Sequence, residues 1–377
     1  MTPGPWVPLS GPAHRIALEV LLDGPLSRAE LARRVDLSAG SLTRLTKPLL
    51  DAGLLVEVDE EAPARVGRPS QPLDVVPSAH HFVGVKLTGD TAHAVRTSLR
   101  AEVVAAAERP LTDHDPAAVA DVVADVVAEL SGGSPVTAVG VSLGGHVAGR
   151  GNVVRAPFLR WHDVPLGDLV QARTSISTVV ANDVTALTEA THWFGSGRGA
   201  RTFALLTVGA GVGFGLVAHG RLVTNDDASL GLVGHHPLDP AGPPCFLGHR
   251  GCATAMLAIG SITAQVSVAH ARPVGYDEVL DLAEQGDPAA RRVVDDAGRA
   301  LGRLVAVAAN FTMPDRVVLG GEGVRLATVA HDALLDGLHA DRDPLATDPP
   351  LTIESPAFTE WARGAAVIAI QTFVLGA

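Results

Sequence analysis

Only two of the 377 residues are cysteines, Cys245 and Cys252. Two thiols this close in sequence cannot staple a fold. A disulfide framework is excluded, and a metal or a reducing compartment suits them better. Lysine is almost absent: Lys47 and Lys86 are the only two, and arginine carries the rest of the basic charge. With so much Ala, Val and Gly, this reads as genome base composition rather than function. An excess of positive charge is also missing. The net charge is -12 at pH 7, so the chain is no general polyanion binder, and any contact with nucleic acid must come from a local basic patch. No apolar run reaches about 18 residues free of Gly, Pro and charge, so a membrane span is not expected. The start, MTPGPWVPLSGPAHR, lacks the basic opening and apolar core of a signal peptide. The expectation is a soluble cytoplasmic protein, long enough for two or three domains.

What is present falls into two parts. Residues 1–13 are rich in Pro and Gly and are expected to be disordered. From His14 to Leu22 the apolar Ile16, Leu18, Val20, Leu21 and Leu22 predict a short helix stopped by Gly24-Pro25. Ser27, with Glu30 three positions on, predicts the capping box of a second helix. A break at Asp36 to Ala39 precedes a third helix that stops at Ala52-Gly53. Residues 54–56 read as a strand, then an acidic turn, Val66-Gly67-Arg68-Pro69, and a returning strand at 73–76. Three helices and a two-stranded hairpin make a winged helix-turn-helix over 14–76. From residue 77 onward, strands alternate with helices at 117–130, 185–193 and 289–310, and glycines sit at strand ends. This is the pattern of an α/β body. No short-period repeat of the solenoid type is visible.

The third helix is the candidate DNA reader. Leu42, Leu45, Leu49 and Leu50 form its inward stripe, which leaves Ser38, Ala39, Ser41, Thr43, Arg44 and Lys47 toward the outside. Small side chains at a helix N-terminus allow close approach to a groove, and Arg44 can reach guanine or phosphate. Arg65 and Arg68 flank a glycine at the expected wing tip, positioned for a minor groove. Residues 28–47 carry five basic groups against two acidic ones. A three-helix dimerisation module with ordinary solvated arginines is the competing reading.

In order and spacing, the pieces resemble the ROK family of repressors, open reading frames and sugar kinases. The matching segments are Leu143 to Val147, RAPFLRWHDVPL at 155–166, Asn182-Asp183, the glycine loop at 209–215, the stretch from Gly231 to Thr254, and Leu319 to Gly321. The resemblance implies a two-lobed, actin-like (ribonuclease H-like) body. One lobe would span about 80–184 plus a C-terminal helix at about 360–377, the other about 185–359. It also implies effector contacts from Asn182, Asp183, His235, Gly144 and Gly145, and zinc on His235, Cys245 and Cys252.

The chain departs from that family at four places. Lys86 stands where the kinases have the Asp of their phosphate turn, and the following Gly-Gly pair is absent, so little is left to cradle a nucleotide phosphate. Ala210 replaces the hydroxyl residue of the glycine loop, whose GAGVG spacing is no dinucleotide fingerprint either. Leu247 replaces the middle cysteine of the zinc site. Zinc therefore stays an open question, with a three-ligand remnant, a substitute from His236 or His249, or a metal-free loop as the alternatives. Leu232 and Thr254 stand where sugar-binding members carry Glu. A role for Asp183 only as the cap of the helix that follows is the competing reading.

The reading that follows is a DNA-binding transcriptional regulator, most simply a repressor, with a catalytically inactive body for effector sensing and oligomerisation and with no ATP. Its partners would be an inverted-repeat duplex operator, a sugar or sugar derivative, and a second or further copies as homodimer or homotetramer. One alternative is a regulator whose body no longer senses an ordinary sugar. Another, from a different class, is an ATP-dependent sugar kinase.

Overall fold

The computed structural model describes residues 11–58 and 71–375. It opens on three helices, α1 (Gly11–Asp23), α2 (Arg28–Arg34) and α3 (Ala39–Asp51), followed by the short strands β1 (Val56–Glu57) and β2 (Leu73–Asp74). The helix ends follow local chemistry. The Ser27 hydroxyl accepts from the Glu30 N–H and the Ser38 hydroxyl from the Ser41 N–H, while Gly53 takes a positive φ of 70° just past α3. β1 and β2 pair antiparallel, Val56 against Asp74. Helix α1 begins at Gly11, so residues 11–13 are helical rather than disordered; the rest of that expected disordered segment lies outside the described residues.

Two five-stranded sheets follow. The first contains β3 (Phe82–Leu87), β4 (Thr91–Thr97), β5 (Val103–Pro110), β6 (Ala138–Leu143) and, later in the chain, β10 (Thr178–Asn182). Between β5 and β6 runs α4 (Pro116–Ser131). Between β6 and β10 lie a small three-stranded sheet, β7 (His146–Ala148), β8 (Asn152–Ala156) and β9 (Trp161–Val164), and helix α5 (Leu166–Thr174). Helix α6 (Asp183–Phe194) leads out of β10. The second sheet contains β11 (Phe203–Val208), β12 (Val212–Ala218), β13 (Arg221–Leu222), then β14 (Arg316–Gly320) and β15 (Leu351–Ile353). Helices α7 (Ala253–Leu257), α8 (Ile259–His270), α9 (Tyr276–Glu284) and α10 (Pro288–Thr312) separate β13 from β14. Helices α11 (Leu326–Val329) and α12 (His331–Ala340) separate β14 from β15, and α13 (Phe358–Leu375) closes the chain.

The two sheets share one plan. Their orders are β5-β4-β3-β6-β10 and β13-β12-β11-β14-β15. In each, the first three strands make an antiparallel meander, and the next two add in parallel on the other side of the first strand. The body is thus a structural duplication that no sequence repeat announces.

Helix α13 returns from the second sheet to lie across β3 and β6 of the first. Glycine permits the crossing. A Cβ on Gly84 would stand 2.0 Å from the Ala362 carbonyl oxygen, and one on Gly140 would stand 1.9 Å from that of Ala365. The three-helix head is not a bead on a string. Ile16, Val20 and Leu31 of the head share one continuous core with Phe82 of β3, Trp193 of α6 and Ile370 of α13. Burial of large apolar side chains at about 1.5–3 kcal/mol each favours keeping the two packed together.

Candidate DNA-reading face, effector cleft and metal centre

On α3 the solvent side is built as the spacing predicts. Leu42 and Leu49 are buried, Leu45 and Leu50 half-buried, and Ser38, Ala39, Thr43, Arg44 and Lys47 exposed, with Ser41 intermediate. Three of these side chains also have local work. Ser38 and Ser41 join their hydroxyls at 3.0 Å, and the Thr43 hydroxyl donates to the Ala39 carbonyl at 2.9 Å. Arg44 and Lys47 meet no carboxylate among the described residues. Of the other basic groups nearby, Arg28 pairs with Glu57, and Arg34 with Asp23 and Glu30, so these two brace the head. Arg65 and Arg68 lie outside the described residues.

The cleft candidates gather at the carboxyl ends of the three mutually parallel strands β3, β6 and β10, the side on which ligands of α/β proteins commonly bind. Gly144 faces Asp183: a Cβ there would stand 3.4 Å from Asp183 Oδ2. Asn182 Nδ2 donates to the Gly145 carbonyl at 3.0 Å, and its Oδ1 accepts from the Thr185 N–H at 3.1 Å. Asn182, not Asp183, is therefore the cap of α6, which corrects the capping role offered for Asp183. Lys86 supplies what Asp183 does instead. Its ammonium pairs with Asp183 Oδ2, the two side chains being only 8% and 13% exposed, and it sits 5.0 Å from the Trp361 ring centre. Asp183 Oδ1 accepts from the Val184 N–H at 2.9 Å. Both oxygens of this carboxylate are already engaged.

A second internal charge fills the glycine loop between β11 and β12. Glu322, just after β14, accepts from the Ala210 N–H through Oε1 at 2.7 Å. Its carboxylate lies so close over Gly209 that a Cβ there would stand 2.2 Å from Oε1. A carboxylate supplied by the chain thus engages a backbone N–H of this loop. Neither the Lys86–Asp183 pair nor Glu322 was found from sequence. Lys86 was visible as a departure, but its partner is 97 positions away.

His235 belongs to a cluster with Cys245, His249 and Cys252. One donor atom from each lies within 4.8 Å of the others, and His235 Nδ1 is 3.8 Å from both sulfurs. A tetrahedral zinc holds its sulfur and nitrogen donors roughly 3.4–3.8 Å apart, so the donor set and its spacing fit that ion. Of the alternatives the sequence leaves open, this grouping favours His249 as the fourth donor. Leu247 points outward at 59% exposure, and the turn from Cys245 to His249, with the Cys245 N–H donating to the His249 carbonyl at 2.8 Å, swings His249 into the vacated corner. His236 is not among the four. Burial, assisted by the neighbouring His249, holds the His235 imidazole below its usual range and favours the neutral, ligating form. Burial likewise pushes the Cys252 thiol up. Beside the cluster, an apolar cavity of about 510 Å³ is lined by Phe214, Leu232, His235 and Phe311 among others. Leu232 is 66% exposed, and the Thr254 hydroxyl packs against Gly234, so neither position offers a carboxylate to a sugar.

Comparison with known proteins places this geometry. The chain is 25% identical over 363 residues to the DNA-binding transcriptional repressor Mlc of Escherichia coli, covering 92% of this chain and 89% of that protein. It is 33% identical over 215 residues to a glucokinase of Thermotoga maritima, covering 53% of this chain and 68% of the kinase. Among solved structures, a ROK family transcriptional regulator described as a homologue of the E. coli Mlc protein superposes with a TM-score of 0.81 at 23% identity, covering 96% of each chain. A ROK glucokinase from Streptomyces griseus, solved with glucose and AMPPNP, superposes at 0.67 and 22% identity, covering 76% of this chain and 98% of the kinase. The paired sheets are the actin-like frame that regulators and sugar kinases share. The model of the ROK family matches residues 82–339, and the chain belongs to that family.

Proposed function

We propose that this chain is a DNA-binding transcriptional repressor whose kinase-like body senses and assembles but does not phosphorylate. The observation that carries the reading is the outward face of α3, where Ala39 and Thr43 leave room for a groove and Arg44 and Lys47 stand unpaired among the described residues. Residues 14–76 would form the reading head and 77–377 the body, active as a homodimer or homotetramer in the cytoplasm on an inverted-repeat operator. Of the sequence-level contacts, Arg44 and Lys47 would reach DNA, with Arg65 and Arg68 from the wing. Purified protein should select a duplex site from a random library. Arg44→Ala should weaken that site about 10- to 100-fold, as expected for loss of a bidentate contact. Equal affinity of wild type and variant, or no selected site, would remove the reading.

The body supports the absence of catalysis. In a kinase of this frame Asp183 would take the proton of the attacking hydroxyl; here Lys86 occupies it and Glu322 occupies the glycine loop. No ADP release is expected over a panel of hexoses with Mg-ATP, and turnover above background would restore the kinase reading.

The same pair favours the second reading of the effector. A hexose hydroxyl at Asp183 must displace a buried ammonium, without the two glutamates replaced by Leu232 and Thr254. The ligand would then be something other than an ordinary hexose, and glucose or N-acetylglucosamine should not raise the melting temperature of the intact protein.

His235, Cys245, His249 and Cys252 would hold a structural zinc, which would tie the loop after β13 to the start of α7. About one zinc per chain is expected after purification. His249→Ala should lose it while His236→Ala keeps it; retention of zinc by His249→Ala would return the site to three ligands.

A further inference from the structure

Two arginines of the body grip the same end of α1, and they are held by different sheets. Arg100, in the turn between β4 and β5 of the first sheet, donates to the Val20 and Leu21 carbonyls at 2.8 and 2.9 Å and pairs with Asp74 of the wing strand β2. That contact is largely buried, 18% and 15% exposed, and merges with the core shared by head and body. Arg198 lies in the loop between α6 and β11. Its Nε and Nη2 donate to Asp23 Oδ1 at 2.9 and 2.5 Å, while the other oxygen of Asp23 takes Arg34 from the end of α2. The Arg198–Asp23 pair is half-open to solvent, 49% and 33% exposed.

The loop that carries Arg198 leaves the end of α6, where the Gly195 and Gly197 N–H donate to the Thr191 carbonyl, and is also tied to the second sheet. Arg316 of β14 donates to the Ser196 carbonyl at 2.5 Å, the Ser196 hydroxyl meets Glu354, and Asp315 accepts from the Arg201 and Thr202 N–H at 2.8 and 3.0 Å. Among the described residues, Arg198–Asp23 is the only hydrogen-bonded or ionic link between this second-sheet region and the head. Helix α6 joins the loop to the cleft. Asp183 stands at its first residue, and its 12 residues span about 18 Å before the loop begins.

We infer that Arg198 is a positioning residue: through Asp23 it transmits the placement of the second sheet to the DNA-reading helices and so sets the relative spacing of two heads. The inference rests on the proposed repressor reading. The head is fixed to the first sheet by Arg100 and by the shared core, which includes Trp193 of α6, so a shift of the second sheet that moves the Arg198 loop reaches the head through the polar contact Arg198–Asp23. Asp23 serves α2 as well as the body, and Arg198 can be changed without touching the Arg34 bond.

The test uses the full chain as wild type, Arg198→Ala and Arg198→Lys, with duplexes selected by the wild type. Fluorescence anisotropy measures affinity for one half-site, then for paired half-sites whose separation is stepped by single base pairs through one helical turn. Arg198→Ala should hold the half-site within about twofold of wild type and lose about two- to fivefold of its preference for the best separation, the range of one partly exposed ion pair. Arg198→Lys should recover most of that preference. If Arg198→Ala keeps the wild-type preference, or weakens the single half-site by the same factor, the positioning role is overturned while the repressor reading stands. A wild type indifferent to separation overturns the paired-head reading and this inference together.

Discussion

Lys86 decides what the cleft of this protein can do. An ammonium next to a carboxylate in a largely enclosed site is a strong mutual commitment, because removal of either partner leaves a charge without compensation. Lys86→Met should lower stability by about 3 kcal/mol in chemical denaturation, and Lys86→Met with Asp183→Asn should recover much of the loss. A single variant as stable as wild type would show that Asp183 does not depend on Lys86. His249 makes the same kind of point at the metal centre. Its side chain enters the corner left by the missing cysteine because the Cys245–His249 turn places it there, with Gly248 at φ 84° making the turn. The sequence offered His236 and His249 as substitutes; the geometry groups His249, not His236, with the other three donors.

Helix α13 is the element on which the body closes. It crosses β3 and β6 at backbone contact distance, so Gly140→Ala cannot be absorbed by a flexible side chain and must push the Ala365 carbonyl away. Overpacking of this kind costs about 1–3 kcal/mol, occasionally more, and an unchanged denaturation midpoint would contradict the crossing. Much of the element plan was legible beforehand, because its signals are local. Ser27 caps the helix it precedes, Gly53 ends α3, and the β11–β12 hairpin was visible as apolar runs around a glycine loop. Helix limits moved by one to three residues, as with α1 at Gly11–Asp23, α4 at Pro116–Ser131 and α10 at Pro288–Thr312. The duplicated strand order, the Lys86–Asp183 pair and the Arg100 clamp were not legible. Each depends on residues brought together from distant stretches of chain, where neither periodicity nor capping gives a signal.

At the scale of the whole molecule, the head and first sheet share one core, and among the described residues the one polar link from the second-sheet side to the head is the more exposed Arg198–Asp23 pair. Such a design suits a protein that reports a change between sheets as a change in where its reading helices stand, rather than one that closes two halves around a nucleotide. No described helix is long and apolar enough to cross a membrane. The central claim is that this family member reads DNA as a symmetric pair of heads. Hydroxyl-radical footprinting of the selected site is the most direct test. Two protected half-sites related by a dyad, with centres one helical turn or a multiple of it apart (about 10–10.5 base pairs per turn), are predicted. Protection of one unrepeated site, or no protection at all, would contradict it.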